Sequence, residues 1–151
     1  MVGRNNQIGE IQQILSMLEK STDEQRAQIL EVMQKNDPSK AALIKARLLT
    51  IEHVFMLDEE SLSRVLEDIS NENIAHSLRG VDIEFRKRTL DFVNLEKRKQ
   101  ILDILKKPAP VDAEIQSARR QMISRVRELE NRGSIHLSSL RKVPTPSKKA
   151  A

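Results

Sequence analysis

Apolar residues return at helical spacing along nearly the whole chain. Ile8, Ile11, Leu15 and Leu18 fall three or four residues apart, with Ile14 widening the stripe, as in a helix with one buried face. Ser21-Thr22-Asp23-Glu24 reads as a stop followed by a capping box, and a second helix carries Ala27, Ile29, Leu30 and Met33. Asp37-Pro38 is a fresh start, because proline suits the first helical position, where an amide hydrogen would go unused; Ala41, Ile44 and Leu48 continue that helix. Three short helices on short connections make an armadillo-like unit over residues 8–49. Its apolar stripes are too wide for so small a unit to cover alone, so it is expected to stack on a partner.

The same grammar repeats over residues 50–137. Asp58, Ser70, Asp82, Asn94 and Asp112 each stand before an apolar-periodic run, as helix-capping residues do. Those runs carry Leu62, Val65, Leu66 and Ile69; Ile74 and Leu78; Phe85 and Thr89; Leu95, Ile101, Leu102 and Leu105; and Ile115, Met122, Ile123, Val126 and Leu129. Gly80 and Gly133 sit where a left-handed residue closes a helix, and Pro108-Ala109-Pro110 breaks the chain. The fold class is therefore all-α: an armadillo-like three-helix unit followed by a C-terminal helical bundle, with breaks near 21, 37, 57, 70, 81, 93 and 108–111. Ile135-His136-Leu137 is short and extended. The polar start, residues 1–7, and the Ser-, Pro- and Lys-rich tail, residues 138–151, are expected to be disordered.

Composition narrows the chemistry. The 151 residues include no cysteine, tryptophan or tyrosine and only three phenylalanines. Disulfides, thiolate metal sites, cysteine nucleophiles and multi-aromatic base-stacking platforms are thereby excluded. His53, His76 and His136 make no HExxH pair, and the four glycines are isolated, so neither a metal site nor a phosphate loop is expected. Neighbouring acids such as Glu59-Glu60 and Glu67-Asp68 point in different directions on a helix and form no acid/base pair. No enzyme, cofactor or small-molecule substrate is expected. With no run of 18 apolar residues and no secretory signal, the cytoplasm is the expected compartment.

The formal charge is +4, and four bases of the tail (Arg141, Lys142, Lys148, Lys149) account for it; the rest is balanced. A neutral body with a basic tail does not point to a nucleic-acid partner. Within the body the signs segregate. Residues 52–72 hold seven acids and one base, and residues 79–107 hold nine bases and five acids. Such segments either screen one another within the fold or form a charged docking face.

From Leu48 onward the order of these pieces resembles the C-terminal part of the flagellar motor switch protein FliG family. Leu57 to Leu66 resembles its LDDRSIQ-VL helix, Asn73 to Gly80 its DLALALKG segment, Pro110-Val111 its GPV break, and Arg127 to Ile135 its closing RRLEE-GEI. The stretch NDPSKAALIKARLL, from Asn36, is similar to the family's RDPELAEEIRRRMF in the preceding armadillo unit.

The resemblance implies a six-helix, right-handed superhelical C-terminal bundle after the armadillo-like unit, and a non-enzymatic rotor component whose charged ridge meets the cytoplasmic loop of a stator. Carried over by residue, that ridge is mixed. Arg79 keeps the base before the glycine, and Asp103 keeps the first of two late acids, with Ile104 at the second. Glu96 reverses an early base, although Lys97, Arg98 and Lys99 follow; the last base falls on Asp112 or in a one-residue gap. The family's MF-F hinge reads Leu48, Leu49 and Ile51 around Thr50. Implied partners are the stator loop and other switch-complex proteins or like subunits, at the cytoplasmic face of the inner membrane in the basal body and held there through partners only. The chain lacks the family's N-terminal anchor domain and its middle domain with EHPQ, as a fragment or a short paralogue would. A stand-alone interaction module that keeps the fold without torque generation is the alternative. On the helix over 95–106, Glu96, Lys99 and Asp103 should share one face with Lys106, and Leu95, Ile101, Leu102 and Leu105 should lie buried. Arg79 also stands at a helix end, where the dipole favours a cation, so a structural role competes with a ridge role there.

Overall fold

Polar caps and apolar stripes divide the chain into nine helices among the residues described by the computed structural model, 2–137, with side chains from Gly9 onward; no strand occurs among them. The predicted tail lies outside the described residues. The fold separates into two compact units, one ending at Leu49 and the other beginning at Thr50.

The first unit holds α1 (Val2–Lys20), α2 (Asp23–Asn36) and α3 (Pro38–Arg47). The first helix begins at Val2 rather than after the disordered start expected over 1–7; once a stripe has nucleated a helix, adding residues is far easier than starting one. At α2 the expected capping box is present: the Gln25 amide donates to Thr22 Oγ1 and the Thr22 amide to Gln25 Oε1, both at 3.2 Å. Leu15, Leu18 and Ile44 form the buried core, with Ile29, Leu30 and Met33 packed against it. No residue of α2 is fully buried, and Met17 and Val32 are about half exposed at 47% and 58%.

The second unit holds α4 (Ile51–Phe55), α5 (Glu59–Glu67), α6 (Asn71–Leu78), α7 (Ile83–Asp91), α8 (Leu95–Lys106) and α9 (Asp112–Asn131). The long α9 packs against α4, α5 and α6, burying Ala118, Met122, Ile123, Val126 and Leu129. Phe55, Leu62, Leu66, Ile74 and Leu78 complete an aliphatic core around one phenylalanine. The predicted breaks are present. The structure adds one at Leu48–Thr50, where Thr50 and His53 make a capping box that the sequence hides, because histidine stands where Glu or Gln is usual. Asp112 was expected to cap α9; instead Val111 occupies the cap with no side-chain hydrogen bond, and Asp112 is the first helical residue, where an acid still complements the dipole.

Helix ends account for five of the nine bases in the basic segment: Arg79, Arg86, Arg88, Lys97 and Arg98. Among the described residues only Gly80 and Gly133 take positive φ, at 78° and 74°. At Gly133 the Ser134 and Gly133 amides close α9 onto Leu129 and Glu130 carbonyls, both at 2.9 Å. Elsewhere cations from other elements reach the terminal carbonyls. Arg88 donates to Phe55 at the end of α4 and to Leu57 just after it, Lys97 to Ile69 after α5, Arg119 to Ser77 and Arg86 to Leu78 in α6, and Arg98 to Leu90 in α7. In the first unit Arg26 does the same for Leu18 of α1. Such charge-assisted bonds satisfy carbonyls that have no partner within their own helix. The acidic segment finds a different mate: Asp68 pairs with Arg125 of α9.

Candidate functional site

The outward surface of α8 is set by a narrow seat. Asn94 caps the helix, its side chain accepting from the Lys97 amide at 2.8 Å. Chiefly α6 packs against the helix, and α6 is only eight residues long. A single short neighbour covers one stripe, running through Ile101, which is wholly buried, with Ile104 and Leu105 half-buried beside it. Leu95 and Leu102 were expected on the buried side and are not there: they are 63% and 37% exposed. Each lies about 100–120° around the helix from Ile101, beyond the reach of one neighbour.

The charged positions divide accordingly. Glu96, Lys99, Asp103 and Lys106 lie together on the exposed face, as their spacing predicts. Asp103 and Lys106 make a 3.9 Å pair with both side chains largely in water. Lys97 leaves the ridge, being half-buried with its Nζ 3.4 Å from the Ile69 carbonyl oxygen. Arg79 is half-buried at the other end of the helix. Its Nη2 donates to the carbonyls of Ile104 at 2.9 Å and Lys107 at 3.3 Å, and its Nε faces His76 Nδ1 at 3.4 Å. The Arg79 carbonyl in turn accepts from Arg119 of α9. Asp112 is exposed, and among the described residues no hydrogen bond or ion pair ties it to α8.

The hinge residues divide between the units. Leu48 is half-buried and ends α3; Leu49 is buried, and its amide donates 3.0 Å to a carboxylate oxygen of Glu19, itself buried. Sequence reasoning missed Glu19, since an acid beside Leu18 carries no pattern of its own. Ile51 is buried as the first residue of α4. Two ionisable groups near helix starts are shifted. Burial lowers the His53 imidazole below its ordinary 6.5, with Glu52 opposing and Arg127 adding to the effect. Hydrogen bonds from Ser61 lower Asp58, the α5 cap. Among the described residues no group of three or more His, Asp or Glu is arranged to hold a metal ion, and no helix is long and apolar enough to cross a membrane.

This arrangement can present alternating charges and two leucines to another protein. Related proteins are known. The flagellar motor switch protein FliG of Borreliella burgdorferi is 28% identical over 132 residues, covering 87% of this chain and 38% of that protein. The FliG of Thermotoga maritima is 27% identical over 124 residues, covering 82% and 36%. The chain thus spans somewhat over a third of the length of the curated relatives it matches. Two solved structures share the fold. FliG residues 86–343 from H. pylori align with a TM-score of 0.67 at 17% identity, over 82% of this chain and 58% of that one. Full-length FliG from Aquifex aeolicus aligns with a TM-score of 0.55 at 19% identity, over 89% and 45%. Residues 31–137 match the FliG C-terminal domain, and the chain belongs to that family.

Proposed function

We propose that this protein is a non-enzymatic rotor component of a bacterial flagellar motor switch, and that the outer face of α8 meets the cytoplasmic loop of a stator. The observation that carries this reading is the exposed set Glu96, Lys99, Asp103 and Lys106 on a helix seated by its opposite face. Water-exposed charges contribute little to stability, so they are free to steer and register a partner of complementary sign. Torque then passes through electrostatic contacts that weaken as salt rises. Leu48, Leu49 and Ile51 serve as the hinge. The partly covered α2, with Val32 exposed on it and Met17 exposed on α1, supports stacking on another switch-complex protein or a like subunit. The protein works in the cytoplasm, at the inner face of the membrane, through these partners.

The test is charge reversal in the full chain. Asp103→Lys should abolish motility of the host while leaving the melting temperature nearly unchanged, and a matching reversal in the stator loop should restore swimming. If the reversal and deletion of the gene both leave motility intact, the torque reading fails and the stand-alone interaction module takes its place.

A further inference from the structure

The carbonyl-capping pattern bears on the one ridge position that lies outside α8. Helix α8 ends at Lys106, and Lys107 is followed by Pro108, which has no amide hydrogen to fold back on the helix. No glycine closes this end either. The Lys107 amide folds back on the Ile104 carbonyl at 3.1 Å, and Arg79 adds side-chain donors at the same helix end. Both Nη2 bonds go to the end of α8, one to Ile104 in its last turn and one to the cap residue Lys107. The Arg79 backbone is anchored at the same time: its carbonyl accepts from Arg119, and Gly80 turns the chain directly after it. Among the described residues Arg79 pairs with no carboxylate. Its cation instead lies against the negative end of the α8 dipole.

From this geometry we infer that Arg79 is a positioning residue: it clamps the C-terminal turn of α8 and so fixes how Asp103 and Lys106 are presented, rather than meeting the partner with its own charge. This rests on the proposed role of α8 as the partner-binding face. A guanidinium is suited to the task because its planar fork reaches two carbonyls at once, which a lysine ammonium does with less geometric control. The family ridge position before the glycine is thus retained in charge and turned inward in use.

The experiment compares Arg79→Gln and Arg79→Lys with the unaltered full chain. One readout is amide hydrogen exchange over residues 104–107; the other is binding to a synthetic peptide of the host stator's cytoplasmic loop across a salt series. Clamping predicts exchange in that turn at least about tenfold faster in Arg79→Gln, since a hydrogen bond from a charged donor is lost. It also predicts that Arg79→Lys weakens peptide binding nearly as much as Arg79→Gln does. The salt dependence of the remaining binding should match the unaltered chain, because no contact charge has been removed. Unchanged exchange in Arg79→Gln would overturn the inference. So would a lysine variant that binds like the unaltered chain together with a shallower salt dependence in the glutamine variant, which is the signature of a direct charge contact. If the unaltered chain ignores the peptide altogether, the stator reading fails, and the exchange result alone decides whether Arg79 holds α8.

Discussion

The two units of this chain differ in how much of their structure they hold up by themselves. In the first, α2 buries no residue completely, and the core is Leu15, Leu18 and Ile44 with a rim of half-covered side chains. In the second, α9 buries five residues and α5 four, around a wholly buried Phe55. Both obey the same local rules of capping and periodicity. The difference lies in the number of neighbours each helix has: a three-helix unit of under fifty residues offers each helix too few, whereas six helices wrap a common interior.

The sharpest way to break this comparison is to separate the units. Residues 50–151 alone should unfold in one cooperative urea transition, and residues 1–49 alone should show a broad, shallow one; equal cooperativity would erase the distinction. Next in size, Phe55→Ala should destabilise the second unit by about 3–5 kcal/mol, as deletion of a buried aromatic does. Val32→Ser on exposed α2 should stay within about 0.5 kcal/mol in the same chain. A smaller loss, about 2 kcal/mol, is expected for Arg88→Gln, because two terminal carbonyls and a cation–π contact with Phe92 at 4.8 Å lose their guanidinium. A loss no greater than that of an exposed substitution would show that the caps contribute nothing.

The smallest expected effect concerns acidity. The Thr50 amide donates to His53 Nδ1 at 3.0 Å, which requires an unprotonated nitrogen there. Since His53 is lowered below 6.5 in the folded state, the unfolded chain binds its proton first. The contribution is complete above the unfolded value, declines as pH falls below it, and stops changing once the folded form is protonated too. Glu52 on the same helix and Arg127 from α9 modulate the shift, and Arg88 from α7 lies at the far end of α4. The urea midpoint should therefore drop as the pH is lowered from 7 to 5.5. His53→Gln, which keeps an acceptor without titrating in this range, should flatten that part of the profile.

Local chemistry made most helix starts legible from sequence alone. Thr22, Asp37, Asp58, Ser70 and Asn94 cap helices with their own side chains, and such a bond reaches only three residues along the chain. The left-handed turns at Gly80 and Gly133 follow from the same short-range physics. Family motifs spread over some ninety residues were legible too, and so was the shared face of Glu96, Lys99 and Asp103, because helical periodicity alone decides it. Which side of α8 is buried was not legible. Leu95 and Leu102 are as apolar as Ile101, and only the breadth of the neighbour, α6, leaves them in water. Nor could a sequence show that Arg79 ends against Ile104 and Lys107, or Arg88 against Phe55 and Leu57, since those carbonyls lie 25 to 33 positions away along the chain. Spacing along one helix is fixed by covalent geometry, whereas the partner of a long basic side chain is fixed by whichever helix end the tertiary packing brings within its reach.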